Sequence, residues 1–232
     1  SGVHQDHDLS TEAGWRELRA RYLGNVTLMD RAVGTVLKAL DESGLADNTI
    51  VAFTSEHGEM MGDHRCINMF VMYQESIKVP LLIRVPWLGR EMRRVGGHFG
   101  HVDLVPTLLE LLGEPVPHHL QGESRAAVLR GQATLEGNDV FMEHNGIGDR
   151  DLGNPSMNPM GTLPWRSVVT SDRWKLNLCA GDQCELFDLN ADPYEERNLF
   201  DDPAQKDRIR DMAARVRLWQ HRTGDSAPLP AV

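Results

Sequence analysis

The chain has 232 residues, 41% of them apolar and 25% charged, with a formal net charge of −10. That is an ordinary soluble composition, long enough to bury a sizeable core, and its negative balance argues against a nucleic-acid surface. No apolar run approaches a membrane span, which excludes a spanning segment. The polar opening Ser1-Gly2-Val3-His4-Gln5-Asp6-His7 is no signal peptide; it reads as a loop cut from a longer protein, and a cytoplasmic setting is favoured.

From Thr11 to Leu45 the pattern is helical. Leu28, Met29, Ala32, Val33, Val36, Leu37 and Leu40 fall on one stripe, with Ser10 as the expected N-cap and Gly44 as the stop. The β-branched run Thr49-Ile50-Val51-Ala52-Phe53 predicts a buried strand. A second apolar run, Val79-Pro80-Leu81-Leu82-Ile83-Arg84-Val85, closes at Pro86. Asp103 to Leu112 predicts a short helix with Leu104, Leu108, Leu111 and Leu112 inward and Gly113 at its end. Helix, strand, strand and helix with long loops predict an α/β arrangement with parallel pairing.

Past about Gln121 the character changes. Val140-Phe141-Met142-Glu143 is a short strand candidate, followed by a Gly/Pro/Asn-rich loop from Asn145 to Pro164. Arg166–Thr170, Trp174–Leu178 and Glu185–Asp188 are short strands separated by turns, which predicts an antiparallel sheet. Ile209, Met212, Val216 and Trp219 at helical spacing predict an amphipathic helix over Pro203–Arg222 that covers this sheet. Cys179 and Cys184 flank Ala180-Gly181-Asp182-Gln183, where a hairpin could bring them together across two strands, but the favoured reading is two reduced, half-buried thiols, with Cys66 unpaired.

Chemistry concentrates where the first strand ends, in Thr54-Ser55-Glu56-His57-Gly58-Glu59-Met60-Met61-Gly62-Asp63-His64. Ligands of open α/β sheets bind at carboxyl ends of strands, and a carboxylate oxygen beside an imidazole nitrogen makes half of a divalent-cation site. Elsewhere the ordinary readings prevail. His98 and His101 sit among glycines at a helix entry, His118-His119 lie in a surface connection, and Lys78, Arg93 and Arg94 are solvated charge. Trp165 and Trp174 are expected to pack the C-terminal sheet.

Thr54-Ser55-Glu56-His57-Gly58, then Gly62-Asp63-His64, then Met72-Tyr73-Gln74-Glu75-Ser76-Ile77-Lys78-Val79-Pro80-Leu81 resemble the sulfatases of the alkaline-phosphatase superfamily. Val102-Asp103-Leu104-Val105-Pro106-Thr107 is similar to that family's Asp-x-x-Pro-Thr helix. Trp174-Lys175-Leu176, Glu185-Leu186-Phe187-Asp188-Leu189 and Asp192-Pro193 through Asn198-Leu199 are similar to its C-terminal strands and turn. The resemblance covers only the C-terminal portion of the family. It implies an α/β fold: part of an alkaline-phosphatase-like sheet flanked by helices over residues 1–135, then a small antiparallel sheet with a C-terminal helix over 136–232.

In function, the resemblance implies metal-assisted hydrolysis of a small-molecule or carbohydrate sulfate ester, with Glu56 and His57 as ligands of a divalent cation, calcium in this family, and His64 in the substrate pocket. A cation and cationic side chains stabilise charge developing on the transferred group. The family's nucleophile is a formylglycine made within Cys/Ser-x-Pro/Ala-x-Arg, and Cys66-Ile67-Asn68, Cys179-Ala180-Gly181 and Cys184-Glu185-Leu186 all fail to match it. The paired aspartates that complete the metal site are absent, so no catalytic residue is identified. Glu56 stands where the family has Asp, shifting the carboxylate by about 1.5 Å. Met69 stands where the family has a sulfate-binding Lys, four residues before Tyr73. Two alternatives remain: a non-catalytic, degenerate sulfatase domain acting as a binding or structural module, and a phosphate or phosphonate ester hydrolase of the same superfamily. Expected partners include the missing N-terminal half or a second copy of the chain, since a truncated sheet exposes an apolar edge.

Overall fold

The structure is a computed structural model that describes residues 8–146 and 163–232, so most of the loop expected from Asn145 to Pro164 lies outside the described residues. Packing divides the chain into two compact units, Ser1–Met69 with Lys78–Arg90 and Phe70–Ile77 with Glu91–Val232.

The first unit is built on α1 (Glu12–Glu42), β1 (Val51–Thr54) and β2 (Leu81–Arg84). Helix α1 starts one residue later than Ser10 implies. Thr11 is the cap, its Oγ1 accepting the Gly14 N–H at 3.1 Å, while the Ser10 hydroxyl donates to the Asp8 carboxylate instead. The chain leaves the helix at Ser43 and turns on Gly44 at φ +72°. Leu18 near the N-terminus is buried, but the predicted stripe is not covered: Leu28, Met29 and Val36 are 66%, 60% and 67% exposed. Strands β1 and β2 pair antiparallel, from Val51 opposite Arg84 to Thr54 opposite Leu81. This corrects the expectation of parallel pairing. Parallel neighbours need a crossover, usually a helix, and between these strands the chain forms only a 3-10 turn at Asp63–Arg65 and the four-residue α2 (Gln74–Ile77). Nor is β1 buried as expected, since Ala52 is exposed and Phe53 is 40% exposed.

The second unit contains α2, α3 (Leu104–Leu112), α4 (Ala126–Leu129), a sheet of β3 (Val140–His144), β4 (Trp165–Val169), β5 (Trp174–Leu178) and β6 (Glu185–Asp188), and α5 (Lys206–Thr223). The sheet runs β3-β4-β5-β6, antiparallel throughout, as the turn-linked strands predict. Period-two alternation sends Val168, Leu176, Leu178 and Leu186 to one face, where they bury against Ile209, Met212, Ala213 and Val216 of α5. Helix α5 follows a turn capped by Asp202 and ends at Gly224 in the left-handed region. Arg166 is buried on β4 and makes a two-pronged ion pair with Asp225, at 2.7 and 2.6 Å, which ties the chain beyond α5 back to the sheet. In α3, Leu111 is buried, but Leu112 is 59% exposed rather than inward. Asp103 at the start of α3 spends its carboxylate on the Glu123 N–H and the Arg125 guanidinium, each at 2.8 Å. That connection passes so close to Val102 that a Cβ on Gly122 would lie 1.9 Å from the Val102 carbonyl oxygen.

Candidate functional site

The candidate residues Glu56, His57 and His64 all lie in the first unit, on the segment that leaves β1. His57 is held by backbone on its Nδ1 side, 2.7 Å from the Gly58 carbonyl oxygen. A carbonyl can only accept, so Nδ1 is the donor here, which leaves Nε2 as the nitrogen available to a ligand. Nε2 lies 3.7 Å from Glu56 Oε1, and the Glu56 side chain is 83% exposed. Ser55 Oγ donates to the His57 carbonyl at 2.8 Å, fixing the backbone under the ring. This is the arrangement that orients a histidine ligand: one nitrogen bound to backbone, the other directed outward.

The chain then forms a tight loop closed by Met60 N–H on the Asn68 carbonyl (3.0 Å) and Gly62 N–H on the Cys66 carbonyl (2.9 Å). Four non-glycine residues within it, Met61, His64, Arg65 and Asn68, adopt φ between +47° and +67°. Such conformations persist only where surroundings impose them. Those surroundings are explicit here. Met60 and Cys66 are fully buried, and Glu59 Oε1 accepts the Asn68 N–H at 2.6 Å. Arg19 of α1 donates from Nε to the Met61 carbonyl at 2.9 Å, and the Trp15 ring sits where a Cβ on Gly62 would meet it at 2.9 Å. His64 is half-buried in this loop, its carbonyl receiving the Cys66 thiol at 3.5 Å. Burial pushes that thiol up to about 11, so Cys66 is not a thiolate nucleophile at neutral pH. Trp15, Arg19 and Glu59 are the residues that sequence reading misses. Only the lone Gly62 hints that the loop is left-handed.

The remaining candidates take structural roles. His98 Nε2 meets the Thr170 carbonyl at 3.1 Å, and its own carbonyl accepts from Asn138. Arg93, read as solvated charge, instead donates to the Val128 and Leu129 carbonyls. Trp165 is buried in the sheet, and Trp174 lies under the Arg208 guanidinium, 4.1 Å from ring centre to Cζ. Cys179 and Cys184 are free thiols, buried more fully than expected. Among the described residues no three His, Cys, Asp or Glu side chains converge as a metal cluster, so Glu56 and His57 are a carboxylate–imidazole pair and no more.

Residues 62–222 match the family described as N-sulphoglucosamine sulphohydrolase, C-terminal, and residues 3–114 match the family Sulfatase. The chain belongs to the sulfatase family. It is 32% identical over 209 residues to the multifunctional alkaline phosphatase superfamily protein PehA of Trinickia caryophylli, covering 88% of this chain and 40% of that protein. It is 32% identical over 195 residues to an ulvan-active sulfatase of Formosa agariphila, covering 83% and 36%. A solved structure of a protein in complex with its substrate D-glucosamine-2-N,6-O-disulfate superposes with a TM-score of 0.83 at 25% identity, covering 95% of this chain and 44% of that one. The fold is therefore the α/β fold of the alkaline-phosphatase-like sulfatases, and the chain spans about two-fifths of the length of these relatives.

Proposed function

We propose that this sulfatase-family chain is the C-terminal part of a sulfuric ester hydrolase, with 1–135 belonging to the α/β catalytic domain and 136–232 forming the small subdomain. Its substrate class is a small-molecule or carbohydrate sulfate ester, by analogy with the similar structure whose bound substrate is a sulfated glucosamine. The observation that carries this reading is the Glu56–His57 pair at the exit of β1, its imidazole already oriented by the Gly58 carbonyl. The donor set fits half of a divalent-cation site, one carboxylate oxygen and one imidazole nitrogen. A cation held there polarises the oxygens of the sulfate group. Glu56 supplies negative charge at a solvent-facing position, His57 supplies a lone pair of fixed direction, and the buttressed loop presents His64 to the substrate. The other metal ligands and the formylglycine come from the length of the relatives that this chain does not span. The open apolar faces of α1, β1 and β2 are where that length packs, or where two copies of the chain meet.

Calorimetric titration of the purified chain with calcium, and in parallel with manganese, which accepts imidazole more readily, tests the metal assignment. Saturable binding lost in Glu56→Ala is expected; equal binding by chain and variant would overturn it. Assayed alone, the chain is expected to hydrolyse neither p-nitrophenyl sulfate nor p-nitrophenyl phosphate above background.

A further inference from the structure

The sheet face turned away from α5 carries polar side chains that are buried. Register aligns Ser167, Asn177 and Glu185 across β4, β5 and β6, with Lys175 two residues along β5 on the same side. Ser167, Asn177 and Lys175 are at most 1% exposed. The segment Tyr73–Ile77, in the same compact unit, bonds to this face. Tyr73 Oη donates to Glu185 Oε1 at 3.1 Å and Asn177 Nδ2 donates to Glu185 Oε2 at 2.8 Å, bonds that favour the ionised carboxylate. Burial works against them and pushes the Glu185 carboxyl upward, which marks an anion short of positive charge. Lys175 donates from Nζ to Glu195 Oε1, and Glu195 Oε2 accepts the Gln74 N–H at 2.6 Å. Glu75 completes the group, within electrostatic reach of Lys175.

Neither charge nor hydrogen bonding closes within this group. One ammonium, Lys175, faces three carboxylates, Glu75, Glu185 and Glu195, and buried charge is tolerated only when compensated. Three oxygens are buried without a hydrogen-bond partner: Glu75 Oε2, Asn177 Oδ1 and Ser167 Oγ. Ser167 and Asn177 stand directly opposite each other on β4 and β5, where Cβ atoms lie about 5 Å apart. All three oxygens offer lone pairs, and only the Ser167 hydroxyl also carries a proton. A water molecule would satisfy the hydrogen bonds and leave the charge excess, whereas a cation satisfies both. We propose that Glu75 Oε2, Asn177 Oδ1 and Ser167 Oγ bind a monovalent alkali cation, sodium or potassium, which fastens Tyr73–Ile77 to the sheet. Hard oxygen donors exclude the softer metals. Calcium takes about six to eight oxygens, and the described carboxylates do not converge as a metal cluster that would supply them. The ion is independent of the Glu56–His57 pair and of the function proposed above.

Urea unfolding of the full chain tests this when choline chloride is replaced by sodium or potassium chloride at constant ionic strength. A ligand bound only by the folded state raises the midpoint with its concentration. The parent midpoint is expected to rise in at least one alkali salt and to saturate. Glu75→Gln keeps the shape of the side chain and removes its charge. It is expected to lose most of that rise, and to match or exceed the parent in choline chloride, where the carboxylate is uncompensated. Glu56→Ala is expected to keep the rise whole, which separates this ion from one at the end of β1. Equal parent midpoints in choline and alkali salts overturn the proposal, as does an undiminished rise in Glu75→Gln or a rise lost in Glu56→Ala. Crystals of the parent chain grown in the stabilising salt decide the matter even if a variant fails to fold. An ion is expected at the Glu75, Asn177 and Ser167 oxygens, sodium recognised by contacts shorter than hydrogen bonds and potassium by its anomalous scattering. A water molecule at hydrogen-bond distance from those oxygens, or no density there, overturns it.

Discussion

Helices α1 and α5 carry the same kind of apolar stripe and meet opposite fates. On α5, Met212, Ala213 and Val216 are at most 1% exposed, because a four-stranded sheet supplies a matching apolar face. On α1, Leu28, Met29 and Val36 are 60% exposed or more. Periodicity states which side of a helix is apolar; it does not state what lies against it. Most helical stability in proteins comes from that packing rather than from propensity, so the second unit encloses the stripe of its long helix while the first leaves that of α1 exposed.

The largest expected effect contrasts the two stripes directly. Met212→Ala leaves a cavity at a site enclosed by strands and helix, and should cost about 2–5 kcal/mol in urea unfolding. Val36→Ala removes a side chain already in water and should stay within about 0.5 kcal/mol. Comparable losses at the two positions would mean that α1 is covered in the isolated chain, as self-association would cover it, and sedimentation would then show a species larger than a monomer.

A smaller effect sharpens the comparison at the far end of α5. The Arg166 guanidinium, bonded in two places, holds the Asp225 carboxyl well below the usual range against a smaller opposing effect of burial; the Gln220 amide and the Ala227 N–H add to the lowering. A carboxyl depressed in the folded state stabilises fully above its unfolded value and loses that contribution as pH falls toward its folded one. Acid destabilisation of the chain should thus be shallower in Asp225→Asn, which starts lower at neutral pH because Arg166 is left buried with a neutral partner. An unchanged acid limb in urea titrations would show that the pair does not anchor the residues after α5.

How much of this was legible in the sequence follows the same division. The β3–β6 sheet and its helix were readable nearly to the residue, because alternation, turn residues and helical spacing are local signals that the local packing then honours. The pairing of β1 with β2 was not. Its direction depends on whether the intervening chain forms a crossover helix, and Gln74–Ile77 is too short to do so. At the site, Glu56 and His57 stood out by chemistry alone, whereas the support from Trp15 and Arg19 was hidden, since contacts across more than forty residues leave no spacing to count. The buried Lys175–Glu195 ion pair was hidden for another reason: no motif links two residues twenty positions apart, and only the fold closes them into a pair.

The smallest expected effect lies at the site itself, where fold and chemistry separate. Glu56 is exposed and makes no contact that the first unit needs, so changing it should leave urea unfolding unaltered. Glu56→Asp draws the carboxylate back by about 1.5 Å, one methylene, to the side-chain length that sulfatases usually have at this position. If the pair binds a cation in the geometry of the family, the shorter side chain should tighten calcium binding several-fold with no change in stability. If this chain has adapted its site to the longer side chain, Glu56→Asp should weaken binding instead, as Glu56→Ala does more severely. Calorimetry on the three proteins orders them, and the position of Asp relative to Glu tells whether the extra methylene is a defect in a sulfatase site or part of its own geometry.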